Sequence, residues 1–168
     1  MGKNDDGFNL AADLHQDGRI DAADVMAFDS REFEIGQGLS GAWFYPVTAG
    51  QGLFLDVFER DGATEVVAAW FTFDLSQPSA DDGESFGAPE QRWFTAQGQA
   101  TDNTANLSLF VSSGGVFDDP ATVTTESTGS LTISFSSCTE GNVSYRFDGT
   151  ELTGSFPIQR ITPSTDCQ

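Results

Sequence analysis

The chain has 168 residues, and its 26 acidic residues against 7 Lys and Arg give a formal net charge of −19 at pH 7. A surface that follows nucleic-acid phosphates or anionic lipid headgroups needs clustered basic residues, so we expect neither partner. No apolar run reaches the roughly 18 residues of a membrane-spanning helix, so we expect no membrane insertion. Hydrophobic residues make up 38% of the chain and Phe numbers 15, which suffices for a packed core.

The composition changes once along the chain. Residues 1–36 are rich in Asp and Ala, whereas residues 38–168 consist of short aromatic and β-branched stretches separated by Gly, Asp, Ser and Thr. The change falls at Gly36 and Gly38, which are typical of a hinge. We therefore predict an N-terminal segment over residues 1–36 and a β-module over residues 38–168.

Residues 13–24 have the spacing of a calcium-binding loop. Calcium takes six to eight oxygen ligands, which such a loop supplies from positions 1, 3, 5, 7, 9 and 12. Gly18 stands at position 6, where the chain turns sharply, and Ile20 is the apolar anchor at position 8. The candidate ligands are Asp13, His15, Asp17, the carbonyl group of Arg19, Asp21 and Asp24.

Two alternatives to this single calcium site stay open. An acidic Asp-Gly turn that leads into a capped helix explains the same residues without a metal. Residues 6–13 repeat residues 17–24 at an offset of 11, so a second loop that shares Asp13 is also compatible with the sequence. The imidazole of His15 is a poor calcium ligand, and water is the alternative at its position.

Residues 13–33 resemble the calcium segment of dockerin modules, in which Asp at position 12 is normal and the preceding helix is absent. The resemblance implies Ca²⁺ as the cofactor. It also implies that residues 1–36 bind another protein module.

Eight strand candidates follow at fairly regular spacing. Leu131, Ile133 and Phe135 alternate with Thr132 and Ser134, which is the period of a sheet with one buried face. Short antiparallel strands with short connections favour an eight-stranded up-and-down barrel, with a β-sandwich as the alternative. We expect irregular loops over 74–90 and 112–128. The predicted strands are 41–47, 51–59, 64–73, 91–98, 104–111, 130–136, 142–148 and 153–161.

The two cysteines, Cys138 and Cys167, favour a disulfide bond near the end of the chain. A bond between them closes a loop of about 30 residues and stabilises the fold by roughly 3–4 kcal/mol on the chain-entropy model. Such a bond is typical of an exported protein. The alternative is a pair of free thiols in a cytosolic protein.

Several aromatic motifs together resemble a β-module of secreted and surface proteins of proteobacteria, over about residues 40–168. They are GAWFYP at 41–46, GQGL at 50–53, WFTFD at 70–74, Trp93-Phe94, GSLTISF at 129–135, Cys138, and IQR at 158–160 before Cys167. The resemblance implies a bacterial protein that is secreted or lies on the cell surface. The first residues lack an apolar signal-peptide core, so we expect the chain to be part of a longer precursor.

Gly41-x-Trp43 resembles the first strand of avidin- and lipocalin-type barrels, in which the Trp closes one end. That resemblance implies a barrel that holds a small apolar ligand. Core packing of the aromatic residues is the alternative, and exposed aromatics that stack on a glycan are another. The candidate contacts are Trp43, Tyr45, Trp70, Trp93 and Phe94.

We expect no enzymatic activity. The one His, His15, lies in the predicted calcium loop, so a catalytic triad or a His-bound zinc has no ligand or base elsewhere. The sequence thus predicts a non-catalytic, calcium-binding accessory or assembly module of a larger secreted or cell-surface bacterial protein. The alternative is a lipocalin- or avidin-like, or carbohydrate-binding, barrel.

Overall fold

The computed structural model describes residues 33–75, 91–163 and 167. The predicted calcium ligands, Asp13 to Asp24, and most of the expected loop 74–90 lie outside this part of the chain. Within it, no helix is both long enough and apolar enough to cross a bilayer.

Eight strands follow a short 3₁₀-helix at Gln37–Leu39, and every one corresponds to a predicted strand. Each pairs antiparallel with the next, and β8 returns to β1 through the pairs Trp43–Arg160 and Phe44–Gln159. The sheet therefore closes into a barrel, which confirms the predicted architecture and rules out a sandwich. The strands are β1 (Gly41–Phe44), β2 (Gly52–Arg60), β3 (Ala63–Phe73), β4 (Gln91–Thr101), β5 (Thr104–Ser113), β6 (Thr124–Phe135), β7 (Glu140–Phe147) and β8 (Thr153–Arg160).

Several predicted strand ends are wrong: β4 extends to Thr101 and not to residue 98, and β5 extends to Ser113 and not to residue 111. Strand β6 begins at Thr124, so residues 124–128 are strand and not part of a loop. They pair with the end of β5, but residues 124–127 are exposed, so the apolar alternation that marks a half-buried strand is missing there. Strand β1 ends at Phe44 and not at residue 47, because Pro46 has no N–H to donate to the ladder.

The core fills the barrel interior with alternate residues of each strand. Leu131, Ile133 and Phe135, predicted to share a face, are all buried, as is Val143 on the neighbouring strand. Ala68, Ala96 and Ala105 are buried as well. Small residues among the large ones let opposite walls of the barrel meet.

One end of the barrel, which we call the closed end, is sealed around Trp43. This side chain is 1% exposed, and its Nε1–H donates to the carbonyl of Leu39 in the 3₁₀-helix at 3.0 Å. Its ring contacts Phe135 edge-on at a centroid distance of 4.9 Å. The buried side chains of Ile35 and Leu39 complete the seal.

Arg160 joins the chain segments that meet at the closed end. It donates hydrogen bonds to the carbonyls of Gly38 at 2.6 Å, Ser40 at 2.5 Å and Thr162 at 2.5 Å. Its guanidinium carbon lies 5.4 Å from the centre of the Trp43 ring, which is a cation–π distance. Burial lowers the pKa of Arg160 from its ordinary value. One cation thus ties the last strand to the segment that precedes the first.

A disulfide bond links Cys138 to Cys167, as predicted. Cys138 lies in the turn between β6 and β7. The bond spans 29 positions in sequence, so it fastens the C-terminal end of the chain to this turn.

We expect Arg160→Met to lower the free energy of unfolding by about 2–4 kcal/mol. Methionine keeps much of the length that packs on Trp43, but it removes the donors to four backbone carbonyls, those of Gly38, Ser40, Cys138 and Thr162. Urea denaturation measures the change.

Arg146→Met is the matched control. Arg146 pairs with Asp148 at 3.0 Å, but both side chains are more than half exposed. Exposed pairs of this kind stabilise by about 0–1 kcal/mol. Equal losses in the two variants would contradict the assigned role of Arg160.

Candidate functional site

A cavity of about 650 Å³ opens at the other end of the barrel. It lies beside Phe156, near the start of β8, whereas Arg160 ends the same strand at the closed end. Ligand pockets have volumes of about 300–1,000 Å³, so a small molecule fits. We call the cavity the aromatic cup, after seven of its lining residues: Tyr45, Trp70, Phe73, Phe94, Tyr145, Phe147 and Phe156.

Trp70 is the centre of the ring cluster. It is 6% exposed, and its ring lies 5.4–6.2 Å from those of Tyr145, Phe94, Phe156 and Phe147. Phe94 and Phe147 also contact each other, at 5.3 Å. Rings at these separations attract one another and restrict one another's rotation. The walls of the cup are therefore held in place before any ligand arrives.

Several polar residues of the cup are already paired with neighbouring side chains. Arg92 Nη2 lies 2.6 Å from Asp74 Oδ2, and both side chains are about two-fifths exposed. The Thr72 hydroxyl donates to Gln51 Oε1 at 2.6 Å. The Ser155 hydroxyl lies 3.2 Å from its acceptor, an amide oxygen on β7. The cup thus offers aromatic surface bordered by polar groups, several of which already have partners.

Gly154 makes room for one wall of the cup. It is the cross-strand partner of Tyr145, and the Tyr145 ring lies over it. A Cβ atom at position 154 would come within 2.5 Å of the Tyr145 hydroxyl oxygen and 2.7 Å of Cζ. Any larger residue at position 154 must displace this ring.

The predicted ligand contacts separate into three places. Tyr45, Trp70 and Phe94 come together in the cup, with Tyr45 stacked on the Phe156 ring at 5.7 Å. Trp43 lies at the closed end. Trp93 points to the outside of the barrel and is 54% exposed. Because consecutive residues of a strand face opposite sides, Trp93 and Phe94 cannot share one site.

Four further aromatic residues of the cup were not predicted as contacts, and one of them is Phe73 at the end of β3. Tyr145 and Phe147 lie at the end of β7, and Phe156 lies near the start of β8. The available signal for these last three is their position: each is an aromatic residue on the inward face, close to a strand end. That signal becomes useful only once barrel closure brings β7 and β8 opposite β3.

A second group of aromatic residues lies on the outer surface. Phe71 pairs across strands with Trp93, and its ring lies edge-on to Phe54 at 5.7 Å. These three residues, which we call the outer aromatic patch, are 42–58% exposed.

Metal binding has no candidate group in the described part of the chain. No set of three or more His, Cys, Asp or Glu side chains there is close enough to hold an ion. The predicted ligands Asp13, His15, Asp17, Arg19, Asp21 and Asp24 lie outside the described residues, so the calcium loop stays a prediction.

Comparison with protein-family models, with curated proteins and with solved structures finds no match to this chain.

We expect Gly154→Ala to destabilise the barrel by about 1–3 kcal/mol, because the added methyl group forces the Tyr145 ring from its place. In a Tyr145→Ala background the same change should cost much less, since the obstructing ring is gone. Urea denaturation of the four proteins gives the coupling. Gly115→Ala, whose Cβ would meet nothing closer than 3.7 Å, is the control. An unchanged cost of Gly154→Ala without the ring would contradict this account.

Proposed function

We propose that the barrel is a non-catalytic binding module that takes a small ligand with an apolar body into the aromatic cup. One observation carries the proposal: seven aromatic side chains line a cavity of about 650 Å³ at one end of a barrel whose other end is sealed. The likeness of Gly41-x-Trp43 to avidin- and lipocalin-type barrels supports the same function.

The packing of the cup favours binding energetically. Transfer of apolar ligand surface from water contributes about 25 cal/mol per Å². A closed barrel and rings that restrict one another leave little conformational freedom to lose when a ligand binds. Less of the burial energy is therefore lost to ordering the site than in a flexible pocket.

The residues of the cup support binding more than catalysis. In the part of the chain that the structure describes, Asp74 is the one carboxylate that lines the cup, and it is paired with Arg92. Glycoside hydrolysis by the common mechanism requires two carboxyl groups across the scissile bond. The single His of the chain belongs to the predicted calcium loop.

A glycan is the alternative ligand class, and the outer aromatic patch is the feature that favours it. Exposed rings on a sheet offer flat faces to the apolar side of a sugar. Trp93 is the central candidate for such stacking, because 54% of its surface is exposed.

The second candidate function is calcium binding by residues 13–24. Four Asp residues in one loop repel one another until a cation neutralises them, so binding of the ion is linked to ordering of the segment. Extracellular sites of this kind have dissociation constants on the order of 10⁻⁴–10⁻³ M. We propose that the calcium-loaded segment over 1–36 connects the barrel to another module of a larger secreted or cell-surface bacterial protein.

We expect the barrel to bind N-phenyl-1-naphthylamine, an uncharged dye whose fluorescence rises in apolar surroundings. Tyr145→Ala and Phe156→Ala should each weaken binding about tenfold, because each removes a ring that the dye would contact. A fluorescence titration measures the affinities.

Trp93→Ala is the matched control for the dye titration. It removes an aromatic residue of the same sheet from the outer surface, so the affinity should stay within about twofold of the unaltered protein. A loss in Trp93→Ala with no loss in the two cup variants would move the site to the outer aromatic patch. Absence of dye binding in all of them would contradict the proposal.

A calorimetric titration of the EDTA-treated protein tests the calcium proposal. Saturable heat of Ca²⁺ binding is expected, with near-complete loss in Asp17→Ala because position 5 of the loop then has no oxygen ligand. Asp118→Ala, in a loop of the barrel, is the control. Flat heats up to several millimolar, beside a melting temperature that EDTA leaves unchanged, would show that residues 13–24 form an acidic turn.

A further inference from the structure

We propose that the aromatic cup selects organic cations in which alkyl groups surround a positively charged nitrogen, as in quaternary ammonium compounds. The inference rests on the proposed function, that the cup is a ligand site. It adds the charge and the hydrogen-bonding character of the ligand.

The walls of the cup attract a cation directly. The face of an aromatic ring carries partial negative charge, and a cation within about 6 Å of the ring centre is attracted to it. Trp, the ring type that binds cations best, lies at the centre of the cluster as Trp70, with Phe94, Tyr145 and Phe156 around it. The attraction grows when water is excluded, as it is from the ring faces that a bound ligand covers.

No described basic group competes with a cation for the cup. Arg92, the one basic residue in its lining, forms an ion pair with Asp74, so the two add no net charge. Arg60 and Arg146 pair with Glu65 and Asp148 elsewhere on the barrel.

The charge of the chain adds a longer-range attraction. Residues 37–168 contain 17 acidic residues against 4 Arg. The resulting negative potential raises the local concentration of cations and lowers that of anions. An anionic ligand would therefore be repelled both by the aromatic ring faces and by the negative charge of the protein surface.

Hydrogen bonding separates a quaternary ammonium from a sugar. A sugar entering the cup would need partners for several hydroxyl groups, but Thr72 already donates to Gln51 and Ser155 is bonded to Asn142. Leaving such groups unpaired against the aromatic walls, away from water, is costly. A quaternary ammonium has no N–H to satisfy, so it can enter without breaking these bonds.

Choline and 3,3-dimethylbutan-1-ol form the deciding pair of probes. They have the same shape, because the neutral alcohol has carbon where choline has its charged nitrogen. Both are titrated against the complex with N-phenyl-1-naphthylamine, and the concentration that displaces half of the dye is compared. We expect choline to displace the dye at about tenfold lower concentration than the alcohol.

Two variants test the source of the preference. Phe156→Leu keeps an apolar side chain but removes a π face, so choline should lose several-fold in affinity and the neutral alcohol little. Asp74→Asn leaves the Arg92 charge without its carboxylate, so the affinity for choline should fall more than the affinity for the neutral alcohol. Phe54→Leu, on the outer aromatic patch, is the control and should change neither.

The outcomes distinguish this inference from the function on which it rests. Equal displacement by choline and the alcohol, or displacement by the alcohol alone, overturns cation selection and leaves the cup as an apolar site. If choline fails to displace a dye that the cup variants show to be bound there, cation selection is likewise overturned. If the dye does not bind either, the ligand site itself is contradicted.

Discussion

The guanidinium group of Arg160 is the contact on which the rest of the structure depends. It lies against the Trp43 ring and donates to the carbonyls of Gly38 and Ser40, so the last strand is held to the segment that enters the first. Strands β1 and β8 share few pairs, because β1 has only four residues. The hydrogen bonds of the Arg160 side chain therefore help to close the barrel where the ladder between β1 and β8 is short. Because the packing at the closed end holds the barrel together, the other end of the barrel can contain a cavity.

The cup uses large side chains without filling the barrel. Four rings contact Trp70, and each is partly buried, so these residues contribute to stability while leaving a cavity above them. At Gly154 the Tyr145 ring occupies the space that the side chain of any other residue would take, so a large ring fits there only beside a glycine. The inward-facing residues of the same sheet thus pack tightly at the closed end and leave a cavity at the open end.

The eight strands could be predicted because inward and outward residues alternate, as in Leu131, Ile133 and Phe135. The start of β6 could not, since Thr124 to Ser127 are exposed and show no such alternation. Tyr45, Trp70 and Phe94 were predicted as contacts from local motifs, whereas Tyr145, Phe147 and Phe156 join them only through barrel closure. The role of Arg160 could not be predicted from the motif at residues 158–160, because a single Arg near a strand end is ordinary until its hydrogen-bond partners are known.

The three Trp residues permit a direct test of the central claim, that the ligand site is the cup. Trp43 lies at the closed end, Trp70 in the cup and Trp93 on the outer surface, so three indole N–H signals of the ¹⁵N-labelled protein report on three places. The signals are assigned with single Trp→Phe variants and followed during titration with N-phenyl-1-naphthylamine. We predict a saturable shift of the Trp70 signal with Trp43 and Trp93 nearly unchanged. A shift confined to Trp93 would contradict the account.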